Sequence, residues 1–376
     1  MRSTMARGHD IAVIGGGLVG GAIAYGLARL GRRVCLYDEG DVAHRASRGN
    51  FGLVWVQGKG QGLAPYGSWT QRSVRRFAEF AALLREDTGI DVALEQPGGF
   101  HLCLSAAELA HRVDQLTRLV AQPGFEGYAF DVLDRAALAP RLPGLGPQVV
   151  GATYCRLDGH LNPLRLFRAL HAAFLERGGT YRPNARVETI TRRGGAFALR
   201  TATGRVEAGQ VVLAAGLGNA TLAPQAGLTA TVRPQRGMIV VLERVRRFLE
   251  YPLATLRQTD EGTVLIGDSQ EEVGFDETLA TAVLATLASR AVQVFPFLRD
   301  ARVNRTWAAL RVMSPDGFPI YEQSASAPGA FVATCHSGVT LAAAHALELA
   351  PRIAAGELGA DLSAFSSERL DVPKAA

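Results

Sequence analysis

The residues of this 376-residue chain whose types and spacing point most directly to chemistry stand near its start. An apolar run, Ile11 to Ile14, leads at once into Gly15-x-Gly17-x-x-Gly20, and Ala22 to Leu30 continue with helical periodicity. Strand, glycine turn and helix in that order are the context a dinucleotide-binding turn requires. Gly15 permits the tight turn, Gly17 lets backbone approach a pyrophosphate, and Gly20 lets the helix pack closely on the strand. The phosphates would rest on the helix N-terminus, at Leu18 and Val19, where free N–H groups and the positive end of the dipole favour an anion. A second strand, Arg33 to Tyr37, ends in Asp38 and Glu39, close to the spacing of a ribose-binding acid. A carboxylate there accepts from the ribose 2′-OH and repels a 2′-phosphate, which disfavours NADP. NAD and FAD share the ADP half that such a unit grips, so the turn alone does not choose between them.

The elements that must hold this turn follow from length and pattern. A chain this long predicts two domains. It is 48% apolar and 20% charged, ordinary for a globular enzyme. Its apolar runs are too short to span a bilayer, and "MRSTMARGHD" has no apolar segment of its own, so a cytoplasmic protein is expected. The net charge of +5 comes from scattered arginines without interleaved aromatics, which argues against a nucleic-acid partner. Cys35, Cys103, Cys155 and Cys335 form no metal-binding spacing, so free thiols and no metal are expected. Lysine occurs only at Lys59 and Lys374. Further along, Asn162 and Pro163 predict a helix start, with Leu164, Phe167, Leu170 and Phe174 on its apolar face and Gly178 and Gly179 beyond its end. The run "GQVVLAAGLGNA" reads as a buried strand ending in small residues, and the tail predicts a strand "AFVAT", a turn and a helix from Thr340 to Ile353.

Taken together, the pieces resemble the D-amino-acid oxidase family of flavoproteins, from Asp10 to about Pro351. The resemblance rests on the glycine turn, "ASRGNFGLV" (Ala46 to Val54), "VLAAGLGNA", "WAALRVMSPDGFPI" and "CHSGVTLAAAHA". It implies an α/β fold: an FAD-binding Rossmann-like domain of the glutathione-reductase type, joined to a discontinuous α+β substrate domain on a mostly antiparallel sheet. The expected division gives residues 1–88, 150–228 and 318–376 to the FAD-binding domain, and 89–149 and 229–317 to the substrate domain. FAD is the implied cofactor, with Asp38 as ribose acid and Glu39 where a basic residue usually follows. Ser47, Arg48, Asn50, Gly52 and Leu53 are expected to line the pyrophosphate and isoalloxazine, Val187 the adenine, and Ala215 and Gly216 the middle of the cofactor. Gly338, Val339 and Thr340 would present backbone N–H groups to the flavin, where charge accumulates on reduction.

The implied chemistry is oxidation of the Cα–N bond of an amino acid or secondary amine by hydride transfer to flavin. Arg311 is the expected carboxylate ligand, because its planar fork grips a carboxylate at two points. His336 is expected to tune the flavin or the substrate amine, and Arg257 is the next candidate for the carboxylate. "GNFGLVWVQGKGQG" and "CHSGVTLAAAHA" are closest in wording to the flavin subunits of opine oxidase, D-hydroxyproline dehydrogenase and hydrogen cyanide synthase, which implies a larger redox partner subunit. Val312 and Met313 stand where some relatives carry a flavin-linking cysteine, so the FAD is expected to be non-covalent. A lysine near the flavin is a common device for oxygen activation in single-chain relatives; with only Lys59 and Lys374 available, slow reaction with O₂ is expected. The alternatives are a stand-alone peroxide-forming oxidase and, more remotely, an NAD-dependent dehydrogenase.

Overall fold

The strands expected from apolar runs lie side by side in one sheet of the computed structural model, which describes residues 9–40, 46–125, 128–267 and 269–371. Lys374 falls outside them. β1 (His9–Ile14) is paired in parallel with β2 (Val34–Tyr37) on one side and with Gly204–Leu213 on the other. The parallel order extends to Thr180–Arg182 beyond β2 and to Ala330–Thr334 beyond Gly204–Leu213. Ile320–Gln323 closes the sheet antiparallel, and Val187–Arg193 and Ala196–Thr201 form an antiparallel arm on Gly204–Leu213. Ile11 to Ile14 are all buried, because helices and loops cover both faces; hence a continuous apolar run and not an alternating one.

α1 (Leu18–Arg29) leaves the glycine turn and is buried along almost its whole length. A Cβ on Gly26 would lie 2.2 Å from the Ala346 carbonyl oxygen, so the C-terminal helical segment lies directly on its backbone. That segment corrects the expectation of one helix from Thr340 to Ile353. It runs as α over Ala342–Ala344, π over His345–Leu349 and α again over Ala350–Ala355. Pro351 has no N–H to offer the Leu347 carbonyl, which accepts instead from Arg76 Nη1 at 3.4 Å. The helix Pro163–Glu176 starts as predicted: Asn162 Oδ1 accepts from the Leu164 and Arg165 N–H groups at 3.1 Å each. Its buried face is Leu166, Leu170, Ala173 and Phe174; Leu164 faces outward in the first turn and is 47% exposed.

The second unit is built on an antiparallel sheet in the order Leu256–Gln258, Thr263–Ile266, Arg233–Arg244, Val303–Met313. A three-stranded sheet, Gly99–Cys103, Gly151–Cys155 and Asp131–Asp134, joins it where Phe100 N–H donates to Pro252 and Ala254 N–H to Phe100. The α/β class and the antiparallel second sheet are as expected. By its hydrogen bonds Gly151–Cys155 goes with the 89–149 segment, so we place the change of unit after Cys155 and not at 150. No helix among the described residues is long and apolar enough to cross a membrane.

Candidate active site

The C-terminal ends of five parallel strands open on one cavity of about 1100 Å³. This is where doubly wound sheets hold ligands, since the strand ends there present turns and helix N-termini to a common crevice. Gly15, Gly17, Leu18 and Val19 form its floor after β1, and Asp38 and Glu39 line it after β2. Gly15 has φ +106°, and a Cβ on it would lie 2.3 Å from the Ala214 carbonyl oxygen; only glycine allows the turn to pass so close to the neighbouring strand. Gly20 sits behind this wall, where an added Cβ would be 1.9 Å from the Gly15 oxygen. His171, which carries no signal in the sequence, steadies the same turn by donating from Nε2 to the Gly16 carbonyl at 2.8 Å.

Asp38 reaches across to the turn. Its Oδ2 accepts from Gly16 N–H at 2.7 Å and its Oδ1 from Gly40 N–H at 2.9 Å. Glu39 pairs with Arg186 at 3.7 Å. Ser47 Oγ accepts from Leu18 N–H at 2.9 Å, and Gly17 leaves room for it, since a Cβ there would meet that oxygen at 2.8 Å. Arg48, Asn50, Val187, Ala215, Gly216, His336 and Gly338 complete the predicted residues on this cavity. Gly20 and Gly52 do not line it. Gly52, at φ +91°, packs against Leu161, whose N–H donates to its carbonyl at 2.9 Å, and so turns the chain toward the second cavity. Cys335 also faces the large cavity, but burial pushes its thiol up to about 12. A thiol raised in this way is mostly protonated and a poor nucleophile.

A second cavity of about 390 Å³ shares Ala46, Asn50 and His336 with the first. Leu53, Val339 and Thr340 line this smaller space and not the large one. Thr340 Oγ1 ties the walls together, donating to Leu53 O at 3.1 Å and accepting from Trp55 N–H at 3.2 Å. Arg311 enters from the strand Val303–Met313, where Gln235 is its partner in register. Its Nη1 donates to the Ser269 and Arg236 carbonyls at 2.8 and 3.3 Å, which fixes the plane of the fork. A Cβ on Gly237 would lie 2.5 Å from Nη2, so glycine makes room for the guanidinium. Arg257 is not a rival: it is buried beneath Phe51, donates from Nε to the Phe51 carbonyl and lines neither cavity.

Lys59, in a loop flanked by glycines, lines this cavity, so the scarcity of lysine no longer argues for slow reaction with O₂. Gly58 and Gly60, at φ +83° and +97°, fold that loop back so that Lys59 Nζ stands 3.1 Å from His336 Nε2 and 3.0 Å from Ser337 Oγ. An ammonium only donates, so Nε2 is the acceptor and the imidazole is neutral. Burial, then the Lys59 and Arg311 charges, hold the His336 pKa well below its ordinary value. Lys59→Met removes one of those charges and is expected to move the acid limb of the kcat/KM profile to higher pH, as His336 takes a proton more readily. A limb at the same pH in both proteins would take His336 out of the chemistry.

Gln57, which the sequence leaves unmarked, also lines this cavity. Gln57 Nε2 donates to Asp158 Oδ2 at 2.7 Å, and Val56 N–H to Oδ1 at 2.6 Å, tying the Val54–Gly58 segment to a fully buried carboxyl. Burial pushes Asp158 up to about 7. His160 pairs with Leu53 in a short buried ladder, its Nε2 3.7 Å from Glu95. Among the described residues, no aspartate or glutamate lines the second cavity, while Lys59, Arg112 and Arg311 all do.

Comparison with known proteins agrees with this geometry. Residues 10–352 match the family model DAO, FAD dependent oxidoreductase. An opine oxidase subunit of Agrobacterium tumefaciens (strain Ach5) is 45% identical over 366 residues, covering 97% of this chain and 99% of that protein. Hydrogen cyanide synthase subunit HcnC of Pseudomonas aeruginosa is 28% identical over an aligned length of 420 residues, 99% of each chain. The crystal structure of glycine oxidase from Geobacillus kaustophilus matches with a TM-score of 0.88 at 26% identity, covering 96% of this chain and 98% of that one. The chain belongs to the DAO family of FAD-dependent oxidoreductases, and FAD is its cofactor. The reading of the glycine turn as an NAD site is set aside.

Proposed function

We propose that this chain is the FAD-bearing catalytic subunit of a multi-subunit enzyme that oxidises the Cα–N bond of an amino acid or a secondary-amine derivative, such as an imino acid or an opine. The observation that carries the reading is the second cavity, where a backbone-anchored Arg311 and the Lys59–His336 pair face one space that shares walls with the dinucleotide cavity. FAD in the large cavity supplies the two-electron acceptor.

The chain's own residues account for the rest of the demand. The Arg311 fork binds the substrate carboxylate and thereby fixes the orientation of the adjacent Cα. The Lys59 and Arg311 cations disfavour an ammonium beside them, so the substrate amine is held in its neutral form, with its lone pair available. Neutral His336 keeps its Nε2 engaged with Lys59 and adds no third charge. As the C–N single bond becomes C=N, the substrate gives up two electrons and two protons; water then cleaves the imine to a 2-oxo acid and an amine, or opens it where the nitrogen is in a ring.

The subunit assignment is supported by the length and closeness of the match to a protein named as one component of a larger oxidase. With an amine substrate, the isolated chain is expected to reduce an artificial dye rapidly and to turn over slowly in air, releasing the 2-oxo acid in proportion to dye reduced. Peroxide formed at the full rate of substrate consumption would overturn the subunit reading. Dye reduction without a carbonyl product would overturn the C–N chemistry.

A further inference from the structure

Arg112 lines the second cavity from the helix Ala106–Val120, one of three cations there among the described residues. Its Nε is shut off from solvent and has no hydrogen-bond partner, and among the described residues its guanidinium makes no hydrogen bond or ion pair. A half-buried guanidinium without partners is costly, since each desolvated N–H forgoes a bond that water would have given. One carboxylate, Asp158, is close enough for its charge to act on Arg112, but its oxygens are taken by Val56 N–H and Gln57 Nε2. Arg112 is also pressed against the loop that carries Lys59: a Cβ on Gly58 would lie 3.2 Å from Nη1. A fork without a partner, at the wall of a cavity where no described residue is acidic, is suited to binding an anion.

We propose that Arg112 binds a second carboxylate of the substrate, on the amine's other substituent, so that the preferred substrates are secondary amines carrying two carboxylates. The proposal rests on the reading of this cavity as the amine site and adds the identity of its far end. Arg311 holds the carboxylate next to the reacting carbon, and Arg112 holds the other. A cavity of about 390 Å³ is large enough for a small amine with two carboxylates.

The test uses the FAD-loaded protein and two sulfur analogues that have no C–N bond to oxidise, thiodiacetate and (methylthio)acetate, titrated against the visible flavin spectrum. Wild-type protein is expected to bind the dicarboxylate about 10- to 100-fold more tightly, the range for a hydrogen bond to a charged group. In Arg112→Met the ratio of the two dissociation constants should collapse toward one, and in Arg112→Lys, which keeps the charge but not the fork, it should fall part of the way. The flavin-to-protein ratio of each variant reports folding; should Arg112→Met not hold FAD, the Arg112→Lys ratio decides. An undiminished preference in the variants, or no preference in the wild type, would overturn the proposal. Because the analogues report binding alone, a failure of amine oxidation would show separately, as amines that bind without bleaching the flavin.

Discussion

Arg311→Met is expected to lower kcat/KM for a carboxylate-bearing amine by about 2–4 kcal/mol, roughly 30- to 900-fold, while the FAD content stays at the wild-type level. The size follows from what is lost: a planar two-point grip on a carboxylate in a half-buried site, with nothing of like geometry to replace it. FAD should be retained, because the residues of the glycine turn and the β2 acid line a different cavity from Arg311. Arg311→Lys keeps the charge but cannot reproduce the fork, so it should recover only part of the loss. Steady-state kinetics with the flavin-to-protein ratio measured on the same preparation decide the matter. Unchanged kinetics in Arg311→Met would move the carboxylate to another cation, and Lys59 or Arg112 would then be tested first.

Gly20→Ala is expected to yield colourless protein. The new Cβ would fall 1.9 Å from the Gly15 carbonyl oxygen, and backbone on both sides must move to admit it. Overpacking of this kind costs about 1–3 kcal/mol even where side chains can yield, and here the part displaced is the turn that forms the floor of the large cavity. Gly21→Ala is the matched control. Its Cβ would meet Leu170 Cβ at 3.7 Å, an ordinary contact, and alanine should favour the helix by about 1 kcal/mol. Absorbance of the two purified proteins separates the outcomes; a yellow Gly20→Ala with full FAD would mean that the turn is more pliant than its geometry implies.

What can be read from sequence is what local order encodes. The glycine turn announces itself because strand, turn and helix are contiguous there, and Asn162 with Pro163 marks a helix start for the same reason. Arg311 carries no local signal and is reached through family resemblance. Lys59 cannot be placed, because the group it meets, His336, is 277 residues away and only the return of the chain at Ser337 brings them together. Arg112 sits among charged residues of an amphipathic helix and looks like any solvated arginine until the fold turns it toward a cavity. Leu164 departs from its expected face because helical periodicity gives the spacing of a stripe but not which stripe the rest of the protein covers. Pro351 does hold a readable signal, a missing N–H inside a predicted helix, and the π-turn before it is where that signal takes effect.

On this reading the reductant of the bound FAD is an amine that carries a carboxylate. The most direct measurement is anaerobic mixing of the FAD-loaded protein with a panel of amino acids, imino acids and opines while the visible absorbance of the flavin is followed. Bleaching is predicted with at least one secondary amine that carries a carboxylate, one substrate being consumed per flavin, and none with the corresponding amine without its carboxylate. Full bleaching by amines that lack any carboxylate, at rates equal to those of their carboxylated counterparts, would contradict it.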